Sequence, residues 1–216
     1  MQPLFHTPFV VFSIPDADDL NRRLLGEISV LRQSSPGLQV SNQHGWHSSL
    51  DVFDQPGPAC RDLEELILGA VDQASHAVAL GFEDKSMLLQ WEGWININGR
   101  GAYNTPHDHP GWAWSGVYYV QVPSDHGSRS GCLELLDSRT NTRVVPVPGA
   151  PCFHGKFTYR PKAGTLVVFP AFVRHWVYPN EQDEERISVA FNARYLPKTA
   201  AATTRRNLKG PPTPQG

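Results

Sequence analysis

The sequence predicts a mainly β (α+β) fold: one β-barrel or jelly roll, with two N-terminal helices packed outside it. Three observations carry this. Helical periodicity is confined to residues 16–80, short strand candidates separated by turn signals follow from about residue 86, and 19 prolines with 18 glycines break the chain into short pieces. At 216 residues the chain matches a single domain, since domains run to roughly 100–200 residues, and it is long enough to bury a substantial core.

The elements follow in order. "PFVVF" (8–12) is a short strand candidate. The segment 16–33 opens on acids, and Leu20, Leu24, Ile28 and Leu31 recur at helical spacing. "SNQHGWHSSLDVF" (41–53) is polar and aromatic and reads as irregular. A second helix spans 60–80, with Leu63, Leu66, Ile67, Ala70 and Val71 on one face. Strands are then expected at 87–97, 114–122, 131–136, 143–147, 152–159, 164–169, 173–178 and 186–195, separated by turn signals such as "SDHGSRSG" and "RPKAG". The domain is expected to occupy residues 1–196. Residues 197–216 lack an apolar pattern and read as a flexible tail, whose Arg205, Arg206 and Lys209 are solvated charge rather than a binding motif.

Composition narrows the function. A net charge of −2 gives no global basic field for nucleic acid or an anionic membrane surface. No apolar run of about 18 residues suggests a membrane span, and the first residues lack a basic region followed by a long apolar stretch. Cys60, Cys132 and Cys152 show no CxxC pairing, which fits free thiols in a reducing compartment. A cytoplasmic protein is expected; its oligomeric state stays open, a homodimer included.

One stretch carries metal chemistry: "NTPHDHPGWAW". On a strand, residues two apart share a face, so His107 and His109 converge while Asp108 points away. Imidazole suits iron, zinc, copper and nickel. The plainer reading makes both histidines turn residues beside Pro106 and Pro110. A third ligand is offered by His175 in "GTLVVFPAFVRHWVYP", which could equally be a satisfied core histidine. "ERISVAFNARY" follows, with Arg186, Ser188, Ala190 and Asn192 on one face and Ile187, Val189 and Phe191 on the other. An Arg and a Ser on one face of a half-buried strand need an acceptor, and a carboxylate suits both, because guanidinium binds it bidentately. The alternative is a surface ion pair of Arg186 with Glu184 or Glu185. His6, His44, His47, His76, His126 and His154 read as incidental, although His44 and His47 could reach the site from the N-terminal region.

Taken together, "HDH", "GTLVVFPAFVRH" and "ERISVAFN" resemble the Fe(II)/2-oxoglutarate-dependent oxygenases. "SNQHGWHS", "HPGWAWSGVYYV", "FPAFVRH" and "RISVAFN" look in particular like a bacterial group of 2OG-Fe(II) oxygenases, over roughly residues 5–195. The resemblance implies a double-stranded β-helix and a non-haem dioxygenase that hydroxylates an unspecified substrate with Fe(II) and 2-oxoglutarate. It implies His107 as the first metal ligand, His175 as the distal ligand, and Arg186 with Ser188 as the anchor of the far carboxylate of 2-oxoglutarate. Tyr119 matches a tyrosine that touches that carboxylate in the prolyl-hydroxylase branch. Asn96 and Asn98, on the preceding strand, are pocket-lining candidates or turn polarity. Trp112 and Trp114 are candidates for the substrate mouth, against the commoner reading of bulky core residues.

The chain departs from the family at the carboxylate. H-x-D would put an acid where His109 stands. Three arrangements are open: three histidine ligands, which strand parity favours; a slip or bulge that brings Asp108 to the metal; or loss of iron chemistry. A neutral triad would also accept zinc or nickel. Cupins are the rival family. Gly101, His107 and His109 match G-x5-H-x-H without the following Glu, and Gly164, Pro170 and His175 match the second cupin motif with Phe172 in place of Gly. A cupin would be a 2-oxoglutarate-independent enzyme or a metal-binding module, and it gives no reason for the R-x-S strand.

Overall fold

The computed structural model describes residues 6–55, 57–79, 81–82, 84–124, 127–139, 147–150 and 153–198. In chain order these form β1 (Val10–Ser13), α1 (Ala17–Ser34), β2 (Asn42–Gln43), β3 (Trp46–His47), α2 (Pro58–Val78), β4 (Met87–Asn98) and β5 (Tyr103–His107). They continue with β6 (Trp114–Gln121), β7 (Leu133–Leu136), β8 (Lys156–Tyr159), β9 (Thr165–Pro170), β10 (His175–Val177) and β11 (Arg186–Pro197).

The helices form where an apolar stripe meets helix-compatible ends. In α1, Leu20, Leu24 and Ile28 bury one face, and Asp18 and Asp19 place negative charge in the first turn, where the helix dipole favours it. α2 begins with Pro58, whose missing N–H is no loss in the first turn. The next two free amides, of Ala59 and Cys60, donate to the Glu27 carboxylate of α1 at 2.8 and 3.0 Å. One carboxylate thus satisfies orphan donors of α2 and clamps the helices together. Burial, then the neighbouring Glu27, pushes the Cys60 thiol up to about 12, so this cysteine is an inert part of the core.

The strands build two antiparallel sheets. One runs β1-β9-β6-β11-β4-β3; the other runs β2-β5-β10-β7-β8. From β6 to β11 the chain crosses repeatedly between them, with β7 and β8 as neighbours in the smaller sheet, which makes a double-stranded β-helix. Alternation along each strand of the larger sheet splits its side chains between two cores. Ile95, Ile97, Tyr118, Leu166, Val189 and Phe191 face outward and pack on Leu24, Ile28, Leu63 and Ile67 of the helices. Tyr119, Val167 and Phe169 face inward and meet Leu133, Leu135, Val173 and Val177 between the sheets. Each fully buried Leu, Ile or Phe contributes about 1.5–3 kcal/mol. The two cores leave one volume unfilled, between the inner faces of β4, β6, β11, β5 and β10.

The expected helices and most of the expected strands form, with their ends displaced by a few residues. Three differences bear on the site. The segment 41–53, expected to be irregular, supplies β2 and β3, which pair with β5 and β4 at the edges of the sheets. β5 itself was not among the expected strands; Pro106 near its end and the short Gly99–Gly101 turn before it hide the pattern. The expected strand 143–147 lies outside the described residues apart from Val147, and the expected strand 152–159 is ordered as β8 only from Lys156. The expected tail lies outside the described residues from residue 199 onward. No helix among the described residues is long and apolar enough to cross a membrane.

Candidate active site

β5 and β10 pair antiparallel, and His107 lies directly opposite His175. Their rings are 4.4 Å apart between centroids. His109 lies beyond the end of β5, in the turn that Gly111 closes with φ +87, and its amide donates to the Ala171 carbonyl at 3.0 Å. That turn swings the His109 ring to 5.0 Å from His107 and 5.2 Å from His175. One nitrogen from each of the three rings falls within 4.8 Å of the others, the arrangement a metal ion requires of three facial ligands. The convergence expected of His107 and His109 is present, although a turn rather than strand parity brings His109 round. Asp108 is exposed at the rim and stands outside this cluster.

The three imidazoles are prepared as neutral ligands. Nδ1 of His107 and of His175 lies 2.6 and 2.8 Å from the carbonyls of Thr105 and Val173. A carbonyl can only accept, so Nδ1 carries the proton and Nε2 keeps its lone pair for a metal. Burial lowers all three pKa values. His109 falls to about 4 and His175 to about 3, with His107 as a secondary cause in both, and His107 falls in the same direction. His109 differs in its partner: its Nδ1 faces the Asn192 amide nitrogen at 3.4 Å, and that amide also donates to Glu92 Oε1 at 2.9 Å.

Arg186 and Ser188 stand on the inner face of β11, as their spacing predicted. Arg186 is 2 % exposed. Its Nε donates to the Gly131 carbonyl and its Nη1 to Ser188 Oγ, each at 3.0 Å, and its guanidinium lies 5.1 Å over the Tyr119 ring. Gly131 sits at φ +63, and a Cβ there would come within 3.1 Å of the Arg186 chain, so glycine is what lets the loop approach. No carboxylate among the described residues forms an ion pair with Arg186. Glu185 pairs instead with Arg32 at 2.9 Å, which disposes of the surface ion pair considered for Arg186. Burial lowers Arg186 from its ordinary value and raises the Tyr119 phenol, an effect the Arg186 charge partly opposes. The Tyr119 hydroxyl is buried against the Arg186 guanidinium, which approaches it without a well-aligned hydrogen bond, and it has no other partner among the described residues.

A buried cation and an orphan hydroxyl side by side are costly without an anion. The cation shares one slot with the triad: Arg186, Ser188, Asn96, His107, His109 and His175 all line it. Its free volume is narrow, about 30 Å³, which admits water-sized groups; a longer guest displaces lining side chains. The donor set fits a metal at the triad and a carboxylate at Arg186.

Asn96 lines the slot, as expected. Asn98 does not: it is buried behind it, its amide donating to Asn104 Oδ1 at 3.0 Å. Trp114 is a correction. It belongs to the outward set of β6, packs in the helix-facing core and donates from its indole to Ser75 Oγ of α2 at 2.9 Å. Parity predicts this, since Trp114 and the inward Tyr119 are an odd number of residues apart. Trp112 is half-buried beside the mouth, under the Arg194 guanidinium at 4.9 Å. One site residue, Asn104, escaped the sequence reading, and His47 was read as incidental although able to reach the site. His47 is 2 % exposed, is opposite Asn96 in the sheet, and stacks on Trp94, whose other neighbour is His109. Asn104 faces the slot together with His107 because the β5–β10 register slips between them, a bulge that sets ordinary parity aside.

A two-sheet β-helix thus holds three convergent imidazoles beside a buried arginine that has no carboxylate partner among the described residues, which suits a non-haem metal centre next to an anion site. Residues 92–192 of the chain match the family described as "Putative 2OG-Fe(II) oxygenase". Among solved structures it resembles a prolyl-4-hydroxylase from Pseudomonas putida, at 20% identity over 87% of this chain and 92% of that one, with a TM-score of 0.58. It also resembles a Trichoplax adhaerens prolyl hydroxylase in complex with a hypoxia inducible factor peptide, at 13% identity over 91% and 86% of the two chains, with a TM-score of 0.61. HygX from Streptomyces hygroscopicus, solved with nickel and 2-oxoglutarate bound, is 11% identical over 87% and 82%, with a TM-score of 0.58. These likenesses are of fold. No curated protein matches the sequence.

Proposed function

We propose that this enzyme is a dioxygenase dependent on Fe(II) and 2-oxoglutarate, with His107, His109 and His175 as the metal ligands and Arg186 as the anchor of the far carboxylate of 2-oxoglutarate. The observation that carries the reading is Arg186: a fully buried guanidinium, with no carboxylate partner among the described residues, lines the same narrow slot as three metal-type imidazoles. Ser188 Oγ and the orphan Tyr119 hydroxyl supply further hydrogen bonds to that carboxylate. A cupin has no use for this arrangement, and the family match supports the oxygenase reading.

When bound, the iron and 2-oxoglutarate supply chemistry that couples oxidative decarboxylation of the keto acid to oxidation of a second substrate. The rest is the work of the chain. The carbonyls of Thr105 and Val173 fix the tautomers and ring orientations of His107 and His175. Burial keeps the triad unprotonated and ready for metal without prior loss of a proton. The Leu133, Val177 and Phe169 wall excludes bulk water from the slot and strengthens the Arg186 attraction. With no acid in the triad, the protein leaves the metal's positive charge uncompensated, which favours anionic ligands there and admits nickel or zinc as substitutes. A cytoplasmic location is part of this proposal, supported by the buried Cys60 and Cys132, which form no disulfide among the described residues.

The test is anaerobic. Metal-free protein is titrated with Fe(II), then with 2-oxoglutarate, and followed by the visible charge-transfer band of a chelated keto acid. The band is expected in the native chain, lost in His175→Ala, and shifted to much higher 2-oxoglutarate concentration in Arg186→Ala. Metal binding with no band and no 2-oxoglutarate affinity would refute the assignment.

A further inference from the structure

Beyond the triad the slot opens into a chamber of about 370 Å³, lined by His107, His109, Asn192, Glu92 and Leu50 among others. A second hollow, of about 420 Å³, shares Leu50 and Glu92 with it and runs along the outside of β4 past Trp91 and Trp112. The two hollows adjoin at Leu50 and Glu92 on the way from solvent to the three histidines. Their charge is one-sided. Asp51, Asp54, Glu64 and Glu92 line the outer part, and Asp108 stands at the inner rim. Apart from the histidines, Arg194 is the single basic side chain lining the two hollows among the described residues. It is already engaged by Gln90 Oε1, the Gly111 carbonyl and the face of Trp112.

A second, independent feature asks for the same ligand. Asn192 is 2 % exposed and lines the inner chamber between Glu92 and His109. Its Nδ2 is committed to Glu92, which holds the amide in one orientation, and its Oδ1 has no partner among the described residues. A buried acceptor without a donor beside a carboxylate is completed by an N–H-rich cation. The aromatic faces of Phe53 and Trp91 farther out suit the same guest through cation–π contact, and like charges focused in a cleft draw such a guest inward.

We infer that the substrate of this site is a cationic molecule bearing amino or guanidino groups, seated along Asp54, Glu64 and Glu92 with one N–H donated to Asn192 Oδ1. The inference rests on the oxygenase reading for the word substrate, and on the groove alone for the charge of the ligand.

The experiment measures binding to the full chain by calorimetry, with the indole N–H resonances of Trp91 and Trp112 as the positional readout. The probes are spermidine, kanamycin and trilysine, against citrate and sucrose. Saturable binding is expected for at least one cation, with both indoles shifting and affinity falling as salt rises. In Asp54→Asn/Glu92→Gln, which keeps shape and hydrogen-bonding capacity, that affinity is expected to drop about tenfold, as two lost partly desolvated attractions imply. The proposal is overturned if none of the three cations binds saturably, if citrate or sucrose binds as well, or if the double variant binds like the native chain. The two readings fail separately. A native chain that binds cations yet shows no keto-acid band loses the oxygenase assignment and keeps the groove; one with the band and no cation affinity does the reverse.

Discussion

Replacing Arg186 by Met separates a ligand anchor from a structural arginine. In the 2-oxoglutarate-free protein the guanidinium is buried and makes two hydrogen bonds, to Gly131 and to Ser188. Methionine removes the desolvated charge, which is a gain, and leaves the Gly131 carbonyl unsatisfied, which costs about 1–3 kcal/mol. These terms oppose, so the stability of the metal-loaded, 2-oxoglutarate-free protein is expected to change by less than about 2 kcal/mol. Binding changes far more. Losing one partner of a buried charge pair costs about 2–5 kcal/mol, or roughly 30-fold to several-thousand-fold in Kd. The assay is thermal unfolding of the Ni(II)-loaded protein with and without 2-oxoglutarate. At a ligand concentration about 100 times its Kd, the native chain gains about 2.7 kcal/mol. A variant weakened 100-fold gains only about 0.4 kcal/mol at the same concentration. An equal 2-oxoglutarate-induced shift in both proteins would refute the anchor. Loss of several kcal/mol without 2-oxoglutarate would make Arg186 a structural residue instead.

Other outcomes follow from the same geometry. His109 and His175 are held at about 4 and about 3, below the ordinary imidazole value of 6.5. Between that value and theirs the unfolded chain binds protons that the folded one refuses, so the metal-free protein is at full stability above pH 6.5 and loses it as pH falls through that window. Urea midpoints against pH check this, and an equally steep fall in His175→Phe would contradict it. A Cβ on Gly116 would run into the Phe191 ring and the Val167 carbonyl, so Gly116→Ala is expected to lower stability by at least the 1–3 kcal/mol typical of overpacking; an unchanged urea midpoint would show that β6 can shift. Trp114→Phe, which removes the indole bond to Ser75, is expected to cost about 1 kcal/mol of stability while leaving 2-oxoglutarate affinity intact. A lost affinity there would return Trp114 to the site.

Much of the site was legible because it rests on period-two arithmetic. β11 alternates Arg186, Ser188, Ala190 and Asn192 with Ile187, Val189 and Phe191, and one set faces the slot while the other faces the helices. The same arithmetic applied to β6 would have moved Trp114 outward once Tyr119 was taken inward. It fails where the backbone departs from a regular strand. The bulge in β5 turns Asn104 and His107 to one side, and the turn at Gly111 carries His109 to the metal position from outside any strand.

By itself the sequence determined the class of fold, the candidate metal-type ligands with Asp108 still open against His109, and the shared face of Arg186 and Ser188, because alternation, turn residues and ligand chemistry are local properties. The tertiary structure alone decided that Asp108 stays at the rim, that His47 reaches the chamber across the β3–β4 pair, and that carboxylates from the Val52–Asp54 turn, α2 and β4 line one groove. Those outcomes depend on strand register and on which distant segments share an edge, and no window of neighbouring residues contains that information.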